Sequence, residues 1–207
     1  MEKLLRRSYE LENELRKFFE LGLFDDTMDV FASRAMCSLA FEHAEAVKYL
    51  IAAEKHNTAI SLVRLQFEVL VKGMWLLFAA PDDAIEKLFT DVTLENFNQL
   101  NQAPGLSQML EELKGKAPEG ATTMLSGFKE CHWKSLCSFV HGGVLAFQTH
   151  ALLMPSKMLK NILKTSNAIS TMIAMLLILL SGVPEHHDRL TALQKKYADC
   201  FPTLLPA

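Results

Sequence analysis

The chain has 207 residues, 50% of them hydrophobic and 22% charged, with only 9 Gly and 7 Pro. One well-buried domain fits that length and two generous ones do not, while the apolar fraction excludes a disordered chain. A formal charge of −3 at pH 7 provides no global basic field, so no duplex DNA is expected as a partner.

Apolar residues recur at three- and four-residue steps almost throughout, and no run alternates with period 2. The pattern predicts an all-α fold, a single-domain helical bundle over residues 1–207. Leu4, Leu5, Leu11, Leu15, Phe18 and Phe19 give an amphipathic first helix. Asp25-Asp26 can cap a second helix running through Met28, Phe31, Ala35 and Leu39 toward Leu50. His56-Asn57-Thr58 interrupts, and a third helix covers 59–80 before Pro81 ends it. Short helices are predicted over 82–90 and 93–103, with loops at Pro104-Gly105, 115–118 and Gly120. This irregular segment, 81–120, is expected to be a lid or partner-binding insertion. A helix over 122–140 then stops at His141-Gly142-Gly143, and 144–153 continues helically up to Pro155. Ser156 opens a long apolar helix, and Pro184-Glu185 starts the last one.

No charge falls between residues 165 and 184, and 172–180 is apolar throughout. That dense run is about half of the ~20 residues a membrane span requires. Thr165, Ser166, Asn167, Ser170 and Thr171 open the stretch, which suits a buried core or dimer-interface helix better than lipid. No membrane is therefore expected, and Met172 and Met175 are expected to pack a homodimer.

Cys37, Cys131, Cys137 and Cys200 form no C-x-x-C pair, so structural zinc is not expected. The opening run Met1-Glu2-Lys3-Leu4-Leu5-Arg6-Arg7 lacks the apolar core of a secretory signal. A reducing, cytoplasmic setting follows, with the cysteines as small core residues. His43 stands between Glu42 and Glu45, but near neighbours on a helix do not converge on one metal, and no Glu precedes a His by three. No metal and no cofactor is expected.

The third helix carries the most information. Ile60, Val63, Phe67, Leu70, Val71, Met74 and Phe78 share one face, and Ala59, Leu62, Leu65, Val69, Gly73 and Leu76 cover the neighbouring arc. What remains is a narrow polar stripe of Asn57, Ser61, Arg64, Glu68 and Lys72, ending at Trp75. Two readings are open. Either the stripe is the solvated edge of a buried helix, or Arg64 lines a polar cleft where Glu68, four residues on, holds its guanidinium for an anion.

A second constellation runs from Glu130 to Gly143. Leu125, Phe128, Leu136 and Phe139 define a buried face on which His132 falls as a core histidine. Lys134 and His141 are two helical turns apart, on one face with Glu130 and Cys137. A histidine beside a cation can cleave RNA without metal, the ring moving the proton and the cation offsetting charge on the phosphorane. The alternative is a solvated Lys134 and a His141 that only caps the helix end.

The run His56-Asn57-Thr58-Ala59-Ile60-Ser61-Leu62-Val63-Arg64-Leu65-Gln66-Phe67-Glu68, then Trp75-Leu76, then His141-Gly142-Gly143, resembles an uncharacterised family of bacterial all-helical proteins. Its pattern is L-x-R-x-x-x-E, W-L, H-G-G. That family is similar to the HEPN helical domains, among them RNases of toxin–antitoxin and phage-defence systems and non-catalytic nucleotide- or RNA-binding modules. The resemblance covers residues 25–183 in outline and implies a HEPN-like bundle and a symmetric homodimer. The HEPN ribonuclease motif is an Arg, then four to six intervening residues, then a His. Only Lys134 to His141 fits that spacing here, with a point charge in place of a planar fork. An alternative arrangement places Arg64 of the third helix opposite His141, supplying the missing guanidinium from another element.

The expected function is a non-catalytic binding module for a small anion, nucleotide or protein partner, through a cleft of Arg64, Glu68, Asn57 and Trp75. The alternative is a metal-independent HEPN-type ribonuclease, with His141 and Lys134 as catalytic residues or His141 with Arg64. A nucleotide, an RNA or another anionic ligand is the implied partner.

Overall fold

The computed structural model describes residues 1–100 and 102–203. Asn101, within the short helix predicted over 93–103, and residues 204–207 of the predicted single domain lie outside them. Among the described residues there are ten α-helices and no strand: α1 (Glu2–Arg16), α2 (Met28–Ala52), α3 (His56–Phe78), α4 (Asp82–Glu86), α5 (Phe97–Leu100), α6 (Leu106–Glu112), α7 (Glu119–Val140), α8 (Val144–Leu152), α9 (Ser156–Ser181) and α10 (His186–Lys196). Short 3-10 turns follow α1, α4 and α10.

The centre of the bundle is α2, α3 and α9, which pack on one another, with α7 crossing α3 and α1 lying on α9. Gly73 lets them close. A Cβ there would stand 3.2 Å from the Met36 Cβ and 3.4 Å from the Leu176 Cδ2, tighter than side chains normally tolerate. On α3 the predicted apolar face is the buried one: Ile60, Val63, Phe67, Leu70, Val71 and Met74 are all in the core.

The polar start of α9 faces the protein. The Gln66 amide donates to the Ser166 carbonyl at 3.1 Å and the Ser170 hydroxyl at 3.2 Å, and the Ser166 hydroxyl returns a bond to the Gln66 carbonyl oxygen at 2.8 Å. Asn167 donates to the Ser8 hydroxyl and the Cys200 carbonyl. Such pairing makes burial of these groups affordable. By length and composition α9 passes the test for a span, at a mean hydropathy of 1.7, yet 67% of that window is buried inside the protein.

Three local expectations are corrected. The break between the second and third helices falls at Ala53-Glu54-Lys55, where Glu54 is left-handed at φ 59° and the Lys55 amide returns to the Leu50 carbonyl. His56, Asn57 and Thr58 instead form the first turn of α3. Thr27, not Asp25-Asp26, precedes α2, because the Asp25 carboxylate accepts the Asp26 amide at 2.7 Å. The irregular segment splits in two: Val92, Leu94 and Phe97 are exposed, whereas Met109, Leu110 and Leu113 join the core. With seven residues, α6 is too short for periodicity to reveal it.

Candidate functional site

Arg64 leaves the middle of α3 with its side chain only 14% exposed. Its guanidinium is held on three sides. Nη2 donates to Glu68 Oε1 at 2.9 Å, one turn along the same helix. Nη1 lies 3.2 Å from His141 Nε2, at the end of α7 and 77 residues away in the chain. The Trp133 ring of α7 faces the guanidinium carbon at 4.6 Å, within cation–π range. Nε is buried with no partner among the described residues.

Each neighbour is positioned by its own element. Trp133 belongs to an aromatic seam between α3 and α7, in which Phe67 stacks on Phe128 at 4.2 Å and approaches Trp133 at 6.4 Å. His141 closes α7, its amide bonded to the Cys137 carbonyl. The chain then reverses through Gly142, left-handed at φ 62°, and Gly143, whose amide bonds to the Ser138 carbonyl. The two glycines are thus the geometry that presents the histidine. An arginine has only donors, so a hydrogen bond at this 3.2 Å contact requires Nε2 as the acceptor, the tautomer with its ring proton on Nδ1.

Of the residues proposed from sequence, Arg64, Glu68 and His141 come together. Asn57 does not join them: its amide donates to the Ala146 carbonyl at 2.9 Å and its oxygen accepts from Thr149, tying α3 to α8. Trp75 is buried and donates to Glu112 at 2.6 Å, tying α3 to α6. That bond, with another from Gln108, holds the Glu112 carboxyl below its ordinary range. Lys134 is exposed and has no bond to Arg64 or His141 among the described residues. With Lys129, Glu130 and Trp133 it lines an open groove of about 410 Å³ between α6 and α7. His132 is half-buried against Phe128, and burial lowers its pKa. The residue that sequence reasoning left without a role is Trp133. Its spacing from Cys137 and His141, at steps of four, was the available signal.

An all-helical bundle with a guanidinium cradled by a carboxylate, an indole and an imidazole is the class this geometry defines. The chain belongs to DUF6988, a family of unknown function, which it matches over residues 37–203. No curated protein and no solved structure matches it. The matched stretch holds the whole Arg64 site, and α1 lies outside it.

Proposed function

We propose that Arg64, His141 and Trp133 form a receiving notch for the phosphate of a nucleotide or RNA, within a HEPN-like, non-catalytic binding module. The observation that carries this is the 3.2 Å approach of Arg64 Nη1 to His141 Nε2 across two helices. A neutral imidazole is a replaceable acceptor for that donor. A phosphate oxygen accepts from the same N–H as a charged partner, and charge-assisted bonds of this type are roughly twice as strong as neutral ones. Glu68 and Trp133 fix the fork beforehand, which lowers the ordering cost of binding.

The test is thermal unfolding with AMP, ATP, inorganic phosphate and a short RNA. A nucleotide or phosphate is expected to raise the melting temperature, and Arg64→Ala to abolish the shift. No shift with any of them overturns the reading.

One observation favours a second reading, ribonuclease activity: His141 is exposed as well as adjacent to the guanidinium. The ring can take the proton of a ribose 2′-hydroxyl as that oxygen attacks the adjacent phosphorus, Arg64 offsets charge on the phosphorane, and the proton returns to the 5′-oxygen as the P–O5′ bond breaks. His141→Ala then abolishes RNA cleavage and leaves the fold intact. RNA that stays uncut by the wild type returns the site to binding alone.

A further inference from the structure

Beyond the Arg64 site, α8 carries an apolar face with nothing packed on it. Val144 is 69% exposed, Phe147 71%, Leu152 73% and Leu153 87%. The first two are one turn apart on the helix, Leu152 is its last residue and Leu153 follows it. No Asp, Glu, Lys or Arg occurs from residue 142 to 156. Leu153 has a positive φ of 90°, a conformation a leucine rarely adopts and one that holds its side chain away from the core. Exposed apolar side chains gathered this closely form the kind of patch that is often functional.

We propose that α8 is the contact between two copies of this chain, packed antiparallel about a two-fold axis near Phe147. The face carries no Asp, Glu, Lys or Arg, so its isologous pairing strands no such charge, and His150 is the one titratable side chain on α8. The four side chains expose on the order of 500 Å² per copy, and their pairing buries on the order of 1,000 Å² in total, the threshold for a specific interface. Asn57 holds α8 to α3 through the Ala146 carbonyl and Thr149, so the face is presented rigidly. His141 lies three residues before α8 begins. Antiparallel pairing therefore sets the Leu152–Leu153 end of one copy beside His141 of the other, as an apolar wall on the open side of the notch.

Light scattering on the eluting protein across a dilution series tests this. The expected mass is twice the 23.3 kDa of the chain, falling to one chain in Phe147→Glu with an unchanged circular dichroism spectrum. Should that variant fail to fold, Leu152→Lys decides instead. A wild type that stays monomeric overturns the proposal, as does a dimer that survives in both variants, which moves the interface elsewhere, such as to Met172 and Met175 of α9. Monomer that sediments with lipid vesicles in a Phe147-dependent manner also overturns it and reassigns the face to a membrane surface. His141→Ala leaves the dimer intact, so loss of anion binding and loss of dimer remain separate results.

Discussion

The Gly143 amide donates to the Ser138 carbonyl at 2.7 Å, and this one bond sets the direction in which His141 leaves α7. A Cβ at Gly143 would stand 2.6 Å from the Ser138 hydroxyl and 3.2 Å from its Cα. Gly143→Ala is therefore expected to open the turn at a cost of about 1–3 kcal/mol. Urea unfolding reads that cost, and a loss of the phosphate-induced thermal shift reads the displaced imidazole. A variant as stable as wild type shows that the turn accommodates the methyl group.

Arg64→Lys keeps the charge and removes the fork. A lysine cannot bond Glu68 and a phosphate in parallel or lie flat on Trp133. The expectation is a melting temperature close to wild type with most of the phosphate shift lost. A lysine variant that binds phosphate as the wild type does reduces the site to a simple point charge.

Lys48 of α2 is fully buried, 2.6 Å from Glu12 of α1. Burial pushes its pKa down, and Glu12 opposes that by favouring the charged form. Glu12→Gln leaves the ammonium without its counter-ion, and breaking such a pair costs about 3–5 kcal/mol. Glu12→Leu with Lys48→Met is expected to recover most of that, since two apolar groups carry no desolvation penalty. Chemical denaturation of the single and double variants measures both. A small effect of Glu12→Gln means that Lys48 is already neutral in the folded protein.

Burial lowers the pKa of His132 and of His43, where Glu42 only partly opposes it. The folded state therefore resists protonation at both rings, and the unfolded chain binds more protons as the solution acidifies. Stability from these sites is complete above the ordinary histidine value near ~6.5 and is lost as pH falls through it toward the lower folded values. Unfolding free energies between about pH 7.5 and pH 5 should fall, and His132→Phe should flatten the slope. A slope unchanged in that variant removes His132 from the account.

The periodic parts of the fold were legible because 3.6-residue spacing is a local property. The apolar faces of α3 and α7 follow directly from residues such as Phe67, Leu70, Phe128 and Leu136. The Arg64–Glu68 pair was legible for the same reason, being one turn apart on one helix. Its meeting with His141 depends on how α3 and α7 cross, which no local spacing encodes, so it stood only as a variant to be tested. Asn57 and Trp75 share the polar stripe with Arg64, but a stripe does not show which neighbour each side chain meets. Asn57 meets α8 and Trp75 meets α6. Trp133 escaped because its indole reads as core until the guanidinium beside it is seen.

The bonds between Gln66 and Ser166 join residues 100 positions apart. During synthesis at ~5–20 residues per second, the α2–α3 hairpin leaves the ribosome about 5–20 s before its partner helix exists. Throughout that interval Leu70 and Met74 lack Met172, Met175 and Leu176 of α9 beside them. The length of that interval is set by the rate at which residues 79–181 are translated.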